Sequence, residues 1–231
     1  IDSLEKQPEM AFGNLAKKRA EVKASSLTPQ RKKEFVKAKD NEFNTWMEHF
    51  VVEAASRKGI PAASMMKMRW VVTTTAGDSL KARLEGQGFT DARLGRIQTA
   101  APTNSRKAHQ LFLTTAASLH FQCYKGDAKC AFLQGDIQEV DEDVDPSDTK
   151  ALREDVFCEP TTELAAKLGL EHHQCVRLLK AVYSLANAPR RWYQRVSKDF
   201  AKLGGVENTT EPCLWTFRND AGEIIELVLL Y

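Results

Sequence analysis

The chain has 231 residues, of which 42% are hydrophobic and 28% are charged, a composition typical of folded proteins and not of disordered ones. Its longest apolar run, 224–231, contains a glutamate and is far shorter than the ~20 residues of a membrane-spanning helix. The first residues also lack the apolar core of a signal peptide. Five cysteines, an odd number with no C-x-x-C pair, indicate reduced thiols and not a disulfide framework or a zinc site. We therefore expect an intracellular protein, in the cytoplasm or the nucleus, with no membrane attachment.

The charge is distributed in blocks, although the formal net charge is only +2. Segment 17–39 has nine basic and two acidic residues, and segment 177–202 has seven basic and one acidic. Segment 134–163 is the opposite, with eleven acidic and two basic residues. Such blocks occur where a polyanion-binding surface lies beside an acidic loop, and they also occur on solvated helices and charged linkers. Both interpretations stay open at this point.

The chain begins with a predicted arm followed by a predicted helix. Residues 1–30 are polar and weakly periodic, which is typical of a flexible basic arm, and residues 31–231 form the predicted folded region. Apolar side chains recur at helical spacing over 29–56. This spacing predicts one long amphipathic helix.

A β-hairpin is predicted next. Residues 67–74 and 79–84 alternate between apolar and polar, and the Ala-Gly-Asp segment 76–78 is typical of the turn between them. Lys81 and Arg83 lie two residues apart on the second strand, so they share its polar face. Two adjacent cations can clamp a phosphate, and an ordinary exposed polar face is the alternative explanation.

In the middle of the chain, a predicted helix is followed by a predicted strand that ends in an acid. Residues 105–119 have helical apolar spacing, and residues 121–128 are typical of a short strand. Asp127 lies at the end of that strand. An acid where a strand passes into a turn is a common catalytic placement, and a helix N-cap is the alternative.

The C-terminal part predicts a basic helix and a second hairpin. The helix begins at Asn187, with a proline in its first turn, and ends at the glycines of 204–205. Its outer face has four cations, Arg190, Arg191, Arg195 and Lys198. Strands 213–217 and 223–231 flank a turn, and the second of them is so apolar that it is predicted to lie at the centre of its sheet.

Three segments of this sequence resemble the motifs of one family. They are Lys-Ala-Arg-Leu-Glu-Gly-Gln-Gly-Phe at 81–89, Gly-Asp-Ala-Lys-Cys-Ala-Phe-Leu-Gln-Gly at 126–135 and Leu-Lys-Ala-Val-Tyr-Ser-Leu-Ala-Asn-Ala-Pro-Arg-Arg-Trp-Tyr at 179–193. In order and approximate spacing they resemble K-A-R-L-V-A-x-G-F, D-V-K-x-A-F-L-x-G and L-x-x-x-Y-G-L-x-Q-A-P-R-x-W of the reverse transcriptases of copia-type LTR retrotransposons. Shorter matches occur at 69–71, 101–103 and 155–160, so the resemblance extends from residue 35 to the end of the sequence. One segment alone would mean little, and five or more in register are specific.

The resemblance implies an α+β fold, the fingers and palm of a right-hand polymerase with an antiparallel sheet packed on helices. It implies RNA-directed DNA synthesis, in which two Mg²⁺ ions held by palm carboxylates help to join a dNTP to a primer 3′-hydroxyl on an RNA or DNA template. Asp127 corresponds to the first of those carboxylates, and the backbone carbonyl of Ala128 would complete the metal shell. The other parts of a Gag-Pol polyprotein are the implied partners.

The resemblance also implies a dNTP pocket. The residues concerned are Lys81, Arg83, Cys130, Ala131, Phe132 and Asn187. Backbone N–H groups in the Cys-Ala segment would face the triphosphate, and the aromatic ring would exclude a ribose 2′-hydroxyl. One of the two hairpin cations would neutralise the incoming phosphates, and the sequence does not select between them. The cations of the C-terminal helix are expected to contact the primer–template duplex through its phosphates.

The sequence departs from the family at several positions. In the family, the strand that corresponds to 223–231 continues into Y-x-D-D, and those acids are not among the 231 residues. Glu85, Ser184 and Asn187 replace a small apolar residue, a glycine and a glutamine. We therefore expect a polymerase fragment that is inactive by itself. The alternatives are a non-catalytic nucleic-acid-binding or scaffold protein that retains the fold, and an unrelated enzyme whose motifs match by chance.

Overall fold

The computed structural model describes residues 21–75, 77–137 and 155–230. Four α-helices and eight strands occur among these residues, so the fold is α+β, as predicted. The chain divides into two compact units. One unit comprises Ile1–Thr45 and Arg69–Glu85, and the other comprises Trp46–Met68 and Gly86–Tyr231. No described helix has the length and apolar character that crossing a membrane requires.

The smaller unit contains a β-hairpin and most of a long helix. The helix, α1 (Pro29–Glu48), begins at a proline, whose fixed φ suits a first helical turn and whose missing N–H is not needed there. The hairpin consists of β2 (Met65–Thr74), which enters this unit at Arg69, and β3 (Leu80–Gly86). Buried and non-buried residues alternate along β3 as the sequence predicts.

The described end of the predicted N-terminal arm lies against this hairpin. The N–H of Val22 donates to the carbonyl of Val72 at 2.9 Å. Leu27 is buried in a small core with Val72 and Leu80. Residues 1–20 lie outside the described residues.

The prediction of one helix over 29–56 is wrong in its last third. The helix ends at Glu48, Phe50 adopts a left-handed φ of 51°, and β1 (Val52–Ser56) follows. The N–H of Val51 donates to the carbonyl of Trp46 at 3.1 Å, which closes the helix. Because β1 pairs along its whole length with a distant strand, tertiary pairing overrides the local helical spacing.

The larger unit contains β1, the start of β2, β4 (Val156–Glu159) and β5 (Gln174–Leu178), in the order β1-β5-β4-β2. Strand β5 is antiparallel to both β1 and β4, and the start of β2 is parallel to β4. Arg57 ties these strands together, because it donates to the carbonyl of Gln174 at 2.7 Å and forms two hydrogen bonds with Glu159.

Two of the remaining helices begin with a side-chain cap, whereas the side chain of Asn187, expected to cap the third, forms no capping hydrogen bond. In α2 (Arg106–Ser118), the Ser105 hydroxyl accepts from the N–H of Ala108 at 3.0 Å, so the predicted helix at 105–119 is confirmed. A short helix, α3 (Thr162–Leu168), is capped by Thr161 in the same way. The predicted basic helix is α4 (Ala188–Lys202), which begins directly after Asn187.

Two predictions about the C-terminal sheet are wrong. The sheet has the order β6 (Val206–Glu207), β7 (Leu214–Arg218), β8 (Ile224–Leu229), so β8 lies at an edge and not at the centre. Residues 121–128 are irregular and do not pair with β8. Apolar composition does not determine hydrogen-bonded partners: β8 contacts α2, but none of its residues is fully buried.

Candidate active-site cleft

A large cleft opens in the larger unit beside the free edge of β8. Its volume is about 1480 Å³, and its walls come from α2, α4, β8 and the irregular segment 121–132. The apolar lining includes Phe112, Trp192 and Phe200. Small-molecule sites usually enclose ~300–1,000 Å³, so this cleft has room for a larger ligand such as a polymer.

Asp127 lies on the wall of this cleft. Both Asp127 and Ala128 are exposed, and both line the cleft together with residues 225–230 of β8 and its extension. The structure thus brings the predicted acid and the end of the last strand to one cavity, although the two segments are not paired as strands. That Asp127 and Ala128 bind a metal stays a prediction.

The residues after Asp127 are held in a tight turn. Cys130 has a left-handed φ of 52°, which is uncommon for a residue with a side chain, and a 3₁₀ turn follows over Ala131–Gln134. Leu133 is fully buried, and the Lys180 ammonium donates to its carbonyl at 3.4 Å. Burial and the nearby Arg195 cation lower the pKa of Lys180. The turn is therefore anchored to the segment that precedes α4.

Phe132 joins two of the motif segments that the sequence singles out. Its ring contacts the ring of Tyr183 edge to face, with centroids 5.6 Å apart. Phe132 also lines the cleft, as does Ala131. The ring is thus both a packing residue and a wall of the cavity, and its contact with a sugar stays a prediction.

The other predicted dNTP contacts are not among the lining residues of the cleft. Lys81 and Arg83 belong to β3 in the smaller unit, where Lys81 is exposed and Arg83 is half-buried. Asn187 is 1% exposed, and neither polar atom of its amide has a hydrogen-bond partner among the described residues. Their roles in nucleotide binding stay predictions.

The basic face of α4 takes part in contacts within the protein. Arg195 pairs with Asp136 at 2.5 Å and with Asp199 at 2.8 Å. The hydrogen bond from Arg195 to Asp199 lowers the pKa of the Asp199 carboxyl. Arg190 donates to the carbonyl of Ala100 at 3.1 Å. Lys198 is exposed, whereas Arg191 is half-buried. Binding of nucleic acid by these four cations stays a prediction.

A complete two-metal site is not formed by the residues that the structure describes. Within 21–75, 77–137 and 155–230, no group of three or more His, Cys, Asp or Glu side chains is arranged to hold a metal ion. Mg²⁺ in phosphate-handling enzymes is held by one or two carboxylates together with substrate phosphates and water. Asp127 can supply one such ligand and not a whole two-metal centre.

One of the comparisons with known proteins finds a similar protein, which comes from a transposon. Over 172 residues the chain is 26% identical to the retrovirus-related Pol polyprotein from transposon TNT 1-94 of Nicotiana tabacum. The chain is similar to a retrotransposon Pol polyprotein. The aligned part is 71% of this chain and 12% of that polyprotein, so the chain spans a small part of its relative. No protein-family model matches the chain, and no solved structure matches it.

This relative supports the predicted origin in a retrotransposon Pol polyprotein.

The structure adds a contact that sequence reasoning missed, between the motif segments 81–89 and 179–193. A Cβ placed on Gly88 would lie 1.9 Å from the carbonyl oxygen of Ser184, so the two backbones meet where only a glycine fits. The signal for this contact was present in the sequence, because Gly88 belongs to one motif and Ser184 takes the place of the glycine in the other.

Proposed function

We propose that this chain is the fingers-and-palm part of a copia-type reverse transcriptase, an RNA-directed DNA polymerase of an LTR retrotransposon. The observation that carries the proposal is the position of Asp127 in one cleft with the end of β8, between walls formed by α2 and α4. The similarity to a retrotransposon Pol polyprotein and the three motif segments support it. Primer–template, dNTPs, Mg²⁺ and the other parts of a Gag-Pol polyprotein are the proposed partners of the complete enzyme.

In this proposal the residues of the cleft divide into two roles. Asp127 and the carbonyl of Ala128 would hold a Mg²⁺ ion, which would activate the primer hydroxyl and neutralise phosphate charge. Phe132 would lie beneath the incoming sugar and exclude a 2′-hydroxyl. The N–H groups of Cys130 and Ala131 would face the triphosphate.

Three further residues are proposed to bind the nucleotide on the resemblance alone. Lys81 or Arg83 would bind the phosphates of the nucleotide, since a cation there offsets their charge. Asn187 would help to shape the nucleotide pocket, and its buried amide has no hydrogen-bond partner among the described residues.

The test is dNTP incorporation on a primed template. The 231-residue chain should show none with Mg²⁺ or Mn²⁺, because the family's acid pair, which together with the first carboxylate offsets the mutual repulsion of two divalent ions, is not among these residues. A longer protein that includes the family's acid pair and thumb should incorporate dNTPs. Asp127→Asn in that longer protein should abolish incorporation, since the amide keeps the shape of the carboxylate and removes its charge.

Asp220→Asn is the matched control, because Asp220 is exposed in the turn between β7 and β8, away from the cleft. It should leave incorporation unchanged. Full activity of the longer Asp127→Asn protein would contradict the assignment of Asp127, and incorporation by the 231-residue chain would contradict the need for further acids. A longer protein that binds duplex but never incorporates dNTPs would favour the non-catalytic alternative.

A further inference from the structure

The solvent-facing side of α1 has a row of lysines. Lys32, Lys33 and Lys37 are all exposed, and no described residue forms an ion pair or a hydrogen bond with any of their ammonium groups. Residues four apart on a helix lie on one face, so Lys33 and Lys37 are neighbours and Lys32 lies beside them. We call these three residues the lysine row.

Two of the four acids of the same helix, Glu34 and Glu42, form hydrogen bonds with β3, whereas the half-buried Asp40 lies on the side of the row, one turn after Lys37. Glu34 accepts a hydrogen bond from the N–H of Leu80 at 2.7 Å, and Glu42, which is 8% exposed, accepts from the N–H of Leu84. Both carboxylates therefore serve the edge of β3, where strand N–H groups would otherwise lack acceptors. Arg31 pairs with Asp78, so that cation is also used within the unit.

This arrangement engages two of the negative charges of the helix in hydrogen bonds with β3 and leaves the exposed side with more positive than negative charge. The sequence shows lysines and glutamates mixed along α1, whereas the structure leaves three positive charges together on the exposed side. The basic face of α4 differs, because Arg190 and Arg195 already form hydrogen bonds within the protein. Of the two basic blocks in the sequence, the one on α1 has more charge available to a partner.

The geometry of the row suits a nucleic-acid backbone. A helix rises ~1.5 Å per residue, so the row extends over ~7.5 Å. Duplex DNA has one negative charge per ~1.7 Å of its axis, so several phosphates lie within reach of the three ammonium groups. A membrane is a poorer fit, because one exposed apolar residue, Val36, lies beside the row, whereas interfacial helices insert through a whole apolar face.

We propose that the lysine row is a sequence-independent binding surface for the phosphate backbone of a nucleic-acid duplex. The choice of nucleic acid among polyanions rests on the proposed function, whereas the location of the surface rests on the structure of α1. The proposal assigns duplex binding to the smaller unit, and it needs neither a metal nor Asp127.

The test is fluorescence anisotropy of a labelled DNA duplex titrated with the 231-residue protein at two salt concentrations. Three phosphate contacts give a log–log salt slope of about −2.7, so affinity should fall about 40-fold between 50 and 200 mM salt. Lys33→Gln with Lys37→Gln removes two contacts and should make the slope shallower by about 1.8. Circular dichroism should show that this variant is folded, since both side chains are exposed.

The matched control is Lys58→Gln with Lys107→Gln, which removes the same charge from two exposed lysines of the larger unit. The control should keep the salt slope of the unchanged protein. An equal change of the salt slope in the two double variants would mean that net charge alone drives binding, and would overturn the proposal. An unchanged slope in the α1 variant, or a loss confined to Lys198→Gln on α4, would also overturn it.

Two further measurements separate this proposal from the others. Equal affinity for vesicles of phosphatidylserine would overturn the choice of nucleic acid as the partner. The binding assay does not depend on catalysis, so a longer protein with the family's acid pair and thumb that binds duplex through the row but incorporates no dNTP would contradict only the proposed polymerase function. An active polymerase whose duplex affinity and salt slope do not change in the Lys33→Gln, Lys37→Gln variant would contradict only this inference.

Discussion

Substitution of Gly88 by alanine tests the contact between two of the motif segments. The added Cβ would lie 1.9 Å from the carbonyl oxygen of Ser184 and 2.9 Å from its carbonyl carbon, whereas real Cβ contacts essentially never fall below 3.0 Å. The two backbones would have to separate by more than an ångström. Overpacking of a core costs ~1–3 kcal/mol when side chains can adjust, and a backbone carbonyl adjusts less readily. We therefore expect Gly88→Ala to lower the free energy of unfolding by ~3 kcal/mol, a large fraction of the 5–15 kcal/mol of a typical domain.

The assay is urea unfolding followed by tryptophan fluorescence and circular dichroism. Gly126→Ala is the control, because a Cβ at Gly126 meets no atom within 4 Å. The control should change the free energy of unfolding by less than ~0.5 kcal/mol, and the dependence on urea should be the same in all three proteins. If Gly88→Ala is no less stable than Gly126→Ala, the two motif segments do not meet as described.

Two further predictions concern stability. Ser184 has a left-handed φ of 71°, a conformation that costs a residue with a side chain ~1–2 kcal/mol. Ser184→Gly should therefore raise the free energy of unfolding by ~1 kcal/mol, whereas Ser184→Ala should not raise it. A higher free energy of unfolding in both variants would exclude backbone strain as the cause. The hydrogen bond from Arg57 lowers the pKa of the Glu159 carboxyl in the folded protein, so its contribution is present above the ordinary pKa of 4.5 and is lost as the pH falls through the lower folded value. Because Glu159 is about half exposed, Glu159→Gln should lower the free energy of unfolding by less than ~1 kcal/mol at neutral pH and should leave it unchanged in acid. Urea unfolding at several pH values measures this difference. A difference that does not change with pH would contradict the ion pair.

Local sequence was sufficient to predict the helices and strands whose formation depends on their own residues and not on a distant partner. The hairpin of β2 and β3 follows from the alternation of apolar and polar residues, which is regular along β3, and the start of α2 follows from a serine whose side chain caps the first turn. The start of α4 follows from a proline in the first turn. The motif segments were also found from sequence, because their residue types and spacing are read directly along the chain.

Pairing between distant segments was decided only by the tertiary structure. Residues 52–56 continue the apolar spacing of α1, yet they form a strand because β5 offers a partner more than one hundred residues away in the chain. Residues 121–128 have the composition of a strand but remain irregular, and β8 is apolar but lies at an edge. Composition reports how much a segment gains from burial, whereas hydrogen-bonded neighbours depend on what the rest of the chain brings alongside.

The candidate site shows the same division. The sequence singled out Asp127 and Phe132 by their motif, but their position on one cleft with β8 required the fold. The contact of Gly88 with Ser184 and the turning of Glu34 and Glu42 away from the lysine row were decided only in three dimensions. A sequence states which charges and shapes are available, and the packing of helices against strand edges determines which of them are used inside the protein and which face a partner.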